Sequence, residues 1–223
     1  MPRYELLPGA YIAPTPGGAY MATQVPDDDP ARRLLRALMA ADATPALTAQ
    51  SLCQWSGLAR EDSALELAYH LQSQALIQAE QAPRHIPSAT LEELLPDMLA
   101  HVSHPGKALL ADAQGFYMAT TGFPHEAAEE LSALSADLAS LHERHQRMLR
   151  HNLGIDNRAW ALADAAGNSQ LGVWPLYVGR QRFALVVAGT PHFNQPAFVD
   201  LVWVLTRRYA MVADAIPTGA RAA

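Results

Sequence analysis

The pattern of apolar and polar positions is clearest in the second half of the chain. Two short apolar runs, 107–113 and 116–122, flank the hydrophilic turn DAQG. Asp112 can accept hydrogen bonds from the turn amides and Gly115 can take a positive φ, so these runs predict a β-hairpin. From about 125 to 150 the apolar residues recur three and four positions apart, which predicts a long helix.

Three more strands and a last helix follow this long helix. The segments RAWALADAAG, SQLGVWPLYVG and RFALVVAGT are apolar and are separated by turn residues, and the segment from Pro196 is apolar most of the way round a helix. The order is therefore strand, strand, helix, strand, strand, strand, helix. It predicts a ββαβββα unit with one five-stranded antiparallel sheet and helices on its face, and hence an α+β fold.

The first half of the chain has a different pattern. Aromatic-containing runs on both sides of PTPGG predict an N-terminal β-hairpin over about 4–24. Three short helical patterns follow, at about 31–41, 48–55 and 61–77. Together these elements predict a winged-helix-like α/β module, and the phrase LTAQSLCQWSGL...AYHLQSQALI resembles the helix-turn-helix portion of winged-helix proteins.

A proline-containing segment separates the two halves. QAPRHIPS is typical of a linker, and TLEELLPDMLAHV is a short amphipathic helix in which Thr90 and Glu93 have the spacing of a capping box. We therefore expect four parts. They are a winged-helix-like domain with its hairpin at 1–82, the linker and short helix at 83–106, a second domain at 107–215 and a tail at 216–223.

Composition narrows the class of protein. The chain has 223 residues, half of them hydrophobic, 17% charged residues and a formal net charge of −6, so a folded core is expected and a globally basic nucleic-acid binder is not. The single cysteine, Cys53, cannot form an intrachain disulfide. The N-terminus does not resemble a signal peptide, and the apolar run at 198–205 is too short for a membrane span. We expect a cytoplasmic protein.

A DNA-binding role is the alternative reading of the first domain. A recognition helix needs side chains that contact base edges and phosphates. The third helix begins REDSALELAYHLQ, in which Arg60 is followed by Glu61, Asp62 and Glu66. Because phosphate contacts supply most non-specific affinity, this acidic start favours a structural or protein-binding role. A winged-helix DNA-binding regulator, whose second domain dimerises or senses a ligand, stays as the alternative.

Nine histidines raise the question of a metal site. The densest group is His142, His145 and His151, but zinc needs three or four converging ligands and the neighbouring Glu143 points elsewhere on the helix. His145 lies in the apolar stripe, where a structural histidine is the ordinary outcome and a pH-sensitive interface is the alternative. The chain has no phosphate-binding glycine loop and no nucleophile elbow. We therefore expect no catalytic residues, no metal, no cofactor and no enzymatic activity.

The second half of the chain resembles the Roadblock/LC7 family. The resemblance lies in ALLADAQGFYMATTG at 108–122, AAEELSALSADLASL at 127–141 and LVVAGTPHFNQPAF at 185–198, and it spans about 107–214. The family has the same opening hairpin, the same Ala/Leu-rich helix and a closing strand that ends in a small-residue turn before the last helix. The N-terminal half is a departure from the family, because many roadblock proteins are a single domain without it. It either adapts the scaffold to a new partner or covers the surface that a GTPase would use.

The resemblance implies a non-enzymatic regulatory scaffold. Roadblock domains typically dimerise and bind Ras-like small GTPases or act as dynein light chains, and related stand-alone proteins in bacteria regulate gliding-motility-type GTPases. The long helix and the edge strand after it then form the dimer or partner interface. The residues expected there are Leu131, Leu134, Leu138, Leu141, His145, Met148, Trp160 and Leu162. An interaction protein of a larger envelope or secretion assembly is a further hypothesis, for which the sequence has no direct sign.

Overall fold

The computed structural model describes residues 4–6 and 9–210. The predicted tail at 216–223 lies outside these residues, and so does 211–215 of the predicted second domain. Within the part of the chain that the structure describes, no helix is both long enough and apolar enough to cross a membrane.

The described residues of the first half form two strands and four helices. In chain order they are β1 (Tyr11–Pro14), α1 (Pro16–Thr23), α2 (Pro30–Ala40), α3 (Ala49–Ser56), α4 (Glu61–Ser73) and β2 (Ile77–Glu80). The strands β1 and β2 form a two-stranded antiparallel sheet, and α3 packs against α2 and α4. The three predicted helices are confirmed. The identification of this half as a winged helix stays a prediction.

The predicted hairpin over 4–24 is wrong, because the chain after β1 forms helix α1. The hydroxyl of Thr15 accepts a hydrogen bond from the Gly18 amide at 3.2 Å, and Pro16 occupies the first turn, so Thr-Pro starts a helix here. Gly18 also lies against β2: a Cβ on it would be 2.0 Å from the carbonyl oxygen of Leu76. Only a residue without a side chain fits between α1 and the residue before β2. Strand β1 pairs with β2 and not with a strand of its own hairpin.

In the second half, as far as Ala210, the structure describes three helices and five strands. In chain order they are α5 (Leu91–His101), β3 (Ala108–Ala111), β4 (Tyr117–Thr121), α6 (His125–Arg147), β5 (Trp160–Ala163), β6 (Ser169–Val178), β7 (Gln181–Ala188) and α7 (Pro196–Leu205). Helices α6 and α7 continue as single π-helical segments, Met148–Asn152 and Thr206–Ala210. The capping pair that starts α5 is present, since the Thr90 amide donates to the Glu93 carboxylate at 3.0 Å.

The five strands of this half form one antiparallel sheet in the order β4-β3-β7-β6-β5. This architecture confirms the predicted ββαβββα order and the α+β fold class. The opening hairpin also has the expected turn: Asp112 accepts hydrogen bonds from the amides of Gln114 at 2.9 Å and Phe116 at 3.0 Å, and Gly115 has a φ of 90°.

The two faces of this sheet are covered differently. Alternate residues of β3 show the division, because Leu110 belongs to the larger core and Leu109 to a smaller one. Helices α5 and α7 cover the face of Leu110, and α1 packs on the same side against α7 and β6. Helix α6 covers the face of Leu109, where it contacts β3, β4 and β7. This second face therefore has only one helix along it among the described residues.

The end of α2 is bonded to α7 and to the π-helical segment that continues it. The indole N–H of Trp203 donates to the carbonyl of Ala41 at 2.8 Å, and Arg207 donates to the carbonyl of Ala40 at 2.7 Å. Arg207 also forms an ion pair with Asp42. Free carbonyls at a helix C-terminus need such partners. One hydrophobic cluster contains residues of both halves, so the two halves share a core, while the boundaries at 82 and 107 stay predictions.

Candidate functional site

Strand β5 is the outer strand of the five-stranded sheet, beside β6. No other described strand pairs with its outer side, which leaves a row of backbone N–H and C=O groups available along that edge. Its side chains are also open: Ala161 and Ala163 are exposed, Trp160 is half-buried, and Leu162 is 65% exposed. An exposed apolar edge strand of this kind is a site where another chain can pair.

An apolar groove runs between β5 and helix α6. It has a volume of about 140 Å³, and its lining is almost entirely apolar. The helix contributes Leu134 and Leu138, and the strands contribute Trp160, Ala161, Leu162, Leu171 and Val173. The structure therefore brings together four of the eight residues that the sequence indicates for an interface: Leu134, Leu138, Trp160 and Leu162.

The other four predicted residues lie along the same helix but outside the groove. Leu131 packs against the smaller core, and Leu141 is half-buried. His145 and Met148 are exposed. The assignment of all eight to an interface stays a prediction.

The most buried positions of α6 are not its leucines. They are Ala128, Ser132, Ser135 and His142. Small side chains let the helix lie close to the sheet, and the serine hydroxyls bond within the helix: Ser132 donates to the Ala128 carbonyl and Ser135 to the Ser132 carbonyl, both at 2.7 Å. The leucines consequently flank the contact with the sheet, and Leu134, at 41% exposure, is directed towards solvent.

His142 fixes the first residue of the edge strand. The Trp160 indole N–H donates to Nδ1 of His142 at 3.3 Å, and the two rings meet edge to face with centroids 6.2 Å apart. Burial lowers the pKa of His142, and the nearby Arg158 lowers it further, so the ring stays a neutral acceptor. His145 was the histidine expected in the apolar stripe, and the role of His142 was missed, because its only sequence signal is its helical spacing from Ser135.

Charge is distributed unevenly along α6. From its start to its middle the helix carries exposed acidic residues, Glu126, Glu129, Glu130 and Asp137, and its end carries exposed Arg144 and Arg147 beside one exposed acidic residue, Glu143. This order is favourable for the helix dipole. It is also complementary to itself when two such helices lie antiparallel, because the acidic part of one then faces the basic part of the other.

Helix α4, the candidate recognition helix of the first half, is acidic at its start. Helix α4 carries Glu61 and Asp62 in its first turn, and Arg60 lies 3.8 Å from the Asp62 carboxylate. Exposed Tyr69 stacks on Tyr4 at 4.6 Å between ring centroids. The acidic start predicted for this helix is therefore present on the folded surface.

No group of three or more His, Cys, Asp or Glu side chains is arranged to hold a metal ion in the part of the chain that the structure describes. A cleft of about 320 Å³ with a mixed polar and apolar lining lies between the C-terminal end of α6 and residues 20–32 of the first half of the chain. Three arginines line it, Arg32, Arg150 and Arg158.

Comparison with known proteins gives matches by structure. No known family matches the chain by sequence, and no curated protein matches it. A roadblock/LC7 domain from Streptomyces avermitilis is 18% identical, with a TM-score of 0.35, over 56% of this chain and 97% of that one.

Two further solved structures have a similar extent. MglB of Myxococcus xanthus is 17% identical, with a TM-score of 0.32, over 56% of this chain and 92% of that one. The gliding protein MglB from Thermus thermophilus is 19% identical, with a TM-score of 0.33, over 57% and 96%. The family recognised in the sequence, roadblock/LC7, is thus also found among the structural matches, over a little more than half of the chain.

Proposed function

We propose that this protein is a non-enzymatic regulatory scaffold that forms a homodimer through β5 and α6 and binds a protein partner. The observation that carries the proposal is the unpaired edge of β5, where Leu162 is 65% exposed beside an apolar groove. A second copy of the same strand supplies both things this edge lacks, namely partners for its backbone groups and apolar area to cover the groove.

The surface formed by β5 and α6 is compatible with a dimer that has two-fold symmetry. When two β5 strands pair antiparallel, the two sheets join and the two α6 helices lie side by side on the same face. Leu134 and Leu138 of each copy then approach the other copy. The acidic beginning of one α6, with Glu126 and Glu130, faces the end of the other, where Arg144 and Arg147 outnumber Glu143. Such complementarity favours an antiparallel arrangement over a parallel one.

The candidate partner is a Ras-like small GTPase. This part of the proposal rests on the resemblance of 107–214 to roadblock domains, and it places the protein in the cytoplasm with such GTPases. The chain contains no phosphate-binding glycine loop of its own, so nucleotide turnover belongs to the partner. The first half of the chain packs on the opposite face of the sheet through α1, and none of its residues lines the groove between β5 and α6.

Light scattering tests the dimer. The chain has a mass of 24.1 kDa, and we expect the purified protein to have twice this mass at micromolar concentration. A monodisperse monomer at that concentration contradicts the proposal.

A binding measurement with nucleotide-loaded GTPase tests the partner. A purified Ras-like GTPase, loaded with either GDP or a non-hydrolysable GTP analogue, is captured on the immobilised protein. We expect one nucleotide state to be retained in preference, because switch segments differ between the two states. Equal retention, or none with either nucleotide, removes the GTPase from the proposal and leaves the dimeric scaffold.

A further inference from the structure

A guanidinium without a carboxylate partner among the described residues lies between the two halves of the chain. Arg158, two residues before β5, is half-buried. It donates to the hydroxyl of Tyr177 at 3.1 Å and lies over the same ring, 5.5 Å from its centroid. It makes no ion pair with any of the residues that the structure describes. A buried or half-buried cation ordinarily has an anion beside it.

Arg158 opens into the cleft of about 320 Å³ that separates the end of α6 from α1 and the start of α2. This volume is at the lower end of the range for small-molecule sites, roughly 300–1,000 Å³. The cleft collects three guanidinium and three amide side chains together with two carboxylates. They are Arg32, Arg150, Arg158, Gln24, Gln146, Asn157, Asp27 and Asp156. Guanidinium and amide side chains donate hydrogen bonds, and the ligands they suit are oxyanions with polar bodies.

The other two arginines of the cleft already have carboxylate partners. Arg150 pairs with Asp156 at 3.0 Å, and Arg32 pairs with Asp29. Of the three guanidinium groups, Arg158 is the one with no carboxylate at ion-pair distance among the described residues, although the Asp27 carboxylate also lines the cleft. Because its planar group is held by the Tyr177 ring and hydroxyl, little side-chain entropy is lost when a ligand binds.

We propose that this cleft binds a small organic oxyanion, no larger than a mononucleotide, with its phosphate or carboxylate group on Arg158. The amides of Gln24, Gln146 and Asn157 bind the rest of the ligand. The site is formed by both halves of the chain, so the ligand links the first domain to the C-terminal end of α6. It is independent of the proposed dimer and of the GTPase partner.

Calorimetric titration of the full chain with three probes tests the site. The probes are inorganic phosphate, AMP and citrate, each used separately at low ionic strength, because salt screens such contacts. We expect saturable binding of at least one probe. Binding of phosphate and AMP but not citrate assigns the oxyanion as phosphate, and binding of citrate alone assigns it as carboxylate. If none of the three probes shows saturable binding at concentrations up to roughly 10 mM, the proposal is overturned. A dissociation constant above this value corresponds to only a small binding free energy.

Three variants locate the binding. Arg158→Gln removes the charge, and we expect it to weaken the bound probe about tenfold or more, as for loss of a charge-assisted hydrogen bond. Tyr177→Phe removes the hydroxyl that orients Arg158, and we expect a smaller loss. Arg180→Gln is the matched control, because Arg180 is exposed in the turn between β6 and β7 and lies outside the cleft.

The control variant Arg180→Gln separates an effect at the site from an effect of net charge. If Arg180→Gln weakens binding as much as Arg158→Gln, the effect is one of net charge and the proposed site is wrong. Melting temperatures of all three variants establish that they are folded. If Arg158→Gln does not fold, Tyr177→Phe replaces it as the deciding variant, and binding unchanged in Tyr177→Phe then contradicts the proposal.

Discussion

At the residue scale, Trp203 shows how one side chain joins the two halves of the chain. It is buried in α7, donates its indole N–H to the Ala41 carbonyl at 2.8 Å, and lies beneath the Arg84 guanidinium, which is 5.2 Å from the ring centroid. A buried carbonyl that loses its donor retains the cost of desolvation. Trp203 therefore stabilises the fold both by burying apolar area and by pairing the Ala41 carbonyl.

We expect Trp203→Phe to lower the free energy of unfolding by about 1–3 kcal/mol, from the unpaired Ala41 carbonyl together with the smaller ring. Trp174→Phe is the control, because Trp174 packs edge to face on Phe193 and makes no comparable hydrogen bond among the described residues. Urea denaturation measures both variants. Equal losses in the two variants show that the hydrogen bond to the Ala41 carbonyl contributes nothing.

His142 links stability to pH through the same kind of local contact. Its pKa in the folded protein is lowered from 6.5, first by burial and then by Arg158, while Glu143 on the same helix acts in the opposite direction. The folded state thus binds fewer protons on this group than the unfolded state does. The stability that neutral His142 contributes is fully present above the pKa that this histidine has in the unfolded state. It is lost as the pH falls from there towards the lower pKa of the folded state.

Denaturation of the wild type and His142→Gln between pH 8 and pH 5 measures this linkage. Glutamine does not titrate, and its carbonyl can still accept the Trp160 N–H. We expect the wild type to lose stability relative to the variant as the pH falls below about 6.5, the unperturbed value for histidine. A difference between the two proteins that stays constant over this range contradicts the account.

At the scale of elements, the sequence predicts those with strong local signals. The leucine spacing of α6, the Asp112–Gly115 turn and the capping pair at Thr90 and Glu93 are all found as expected. Helix α1 was missed because PTPGG has turn composition, and its helical state depends on a contact between Gly18 and Leu76 that no local pattern encodes. Similarly, a stripe of leucines does not reveal which side of a helix approaches a sheet.

The groove between α6 and β5 could be predicted only in part. Periodicity placed Leu134, Leu138, Trp160 and Leu162 on apolar faces, and the family resemblance grouped them. The His142–Trp160 contact and the position of Arg158 depend on how the loop after α6 returns to the sheet. Such long-range placement follows from tertiary packing, which sequence periodicity does not contain.

Leu162 on β5 provides the element-scale test of the interface. We expect Leu162→Lys to convert the dimer to a monomer, because the charge falls in the apolar centre of the strand pairing and lysine on an edge strand opposes such pairing. Leu153→Lys is the matched control, since Leu153 is 59% exposed but lies after α6 and outside the groove. Light scattering at equal concentrations compares them. Dimer loss in both variants, or in neither, contradicts the assignment of the interface to β5.

At the scale of the whole molecule, the two halves share one hydrophobic cluster. The boundaries at 82 and 107 are predictions from the sequence alone. Because the two halves pack into one cluster, we expect them to unfold together. Trp55 reports on the first half, Trp160 and Trp174 report on the second, and Trp203 reports on the contact between the two halves.

We expect a single cooperative transition in denaturant, with coincident midpoints for far-ultraviolet circular dichroism and tryptophan fluorescence. A variant that retains Trp55 alone, with phenylalanine at the other three positions, follows the first half by itself. Its fluorescence midpoint should coincide with its circular dichroism midpoint. Two separated transitions in the wild type show that the halves unfold independently and that the shared core contributes little to cooperativity.

Taken as one molecule, the chain presents its sheet edge and α6 on one side, while its first half covers the other side. The central claim is that two copies join through β5. Amide hydrogen exchange of residues 160–163, measured across protein concentrations that span the dimer dissociation constant, tests this claim most directly. We predict that protection of these amides rises with the fraction of dimer, since strand pairing supplies them with acceptors. A dimer whose 160–163 amides exchange at the same rate as in the monomer contradicts the claim.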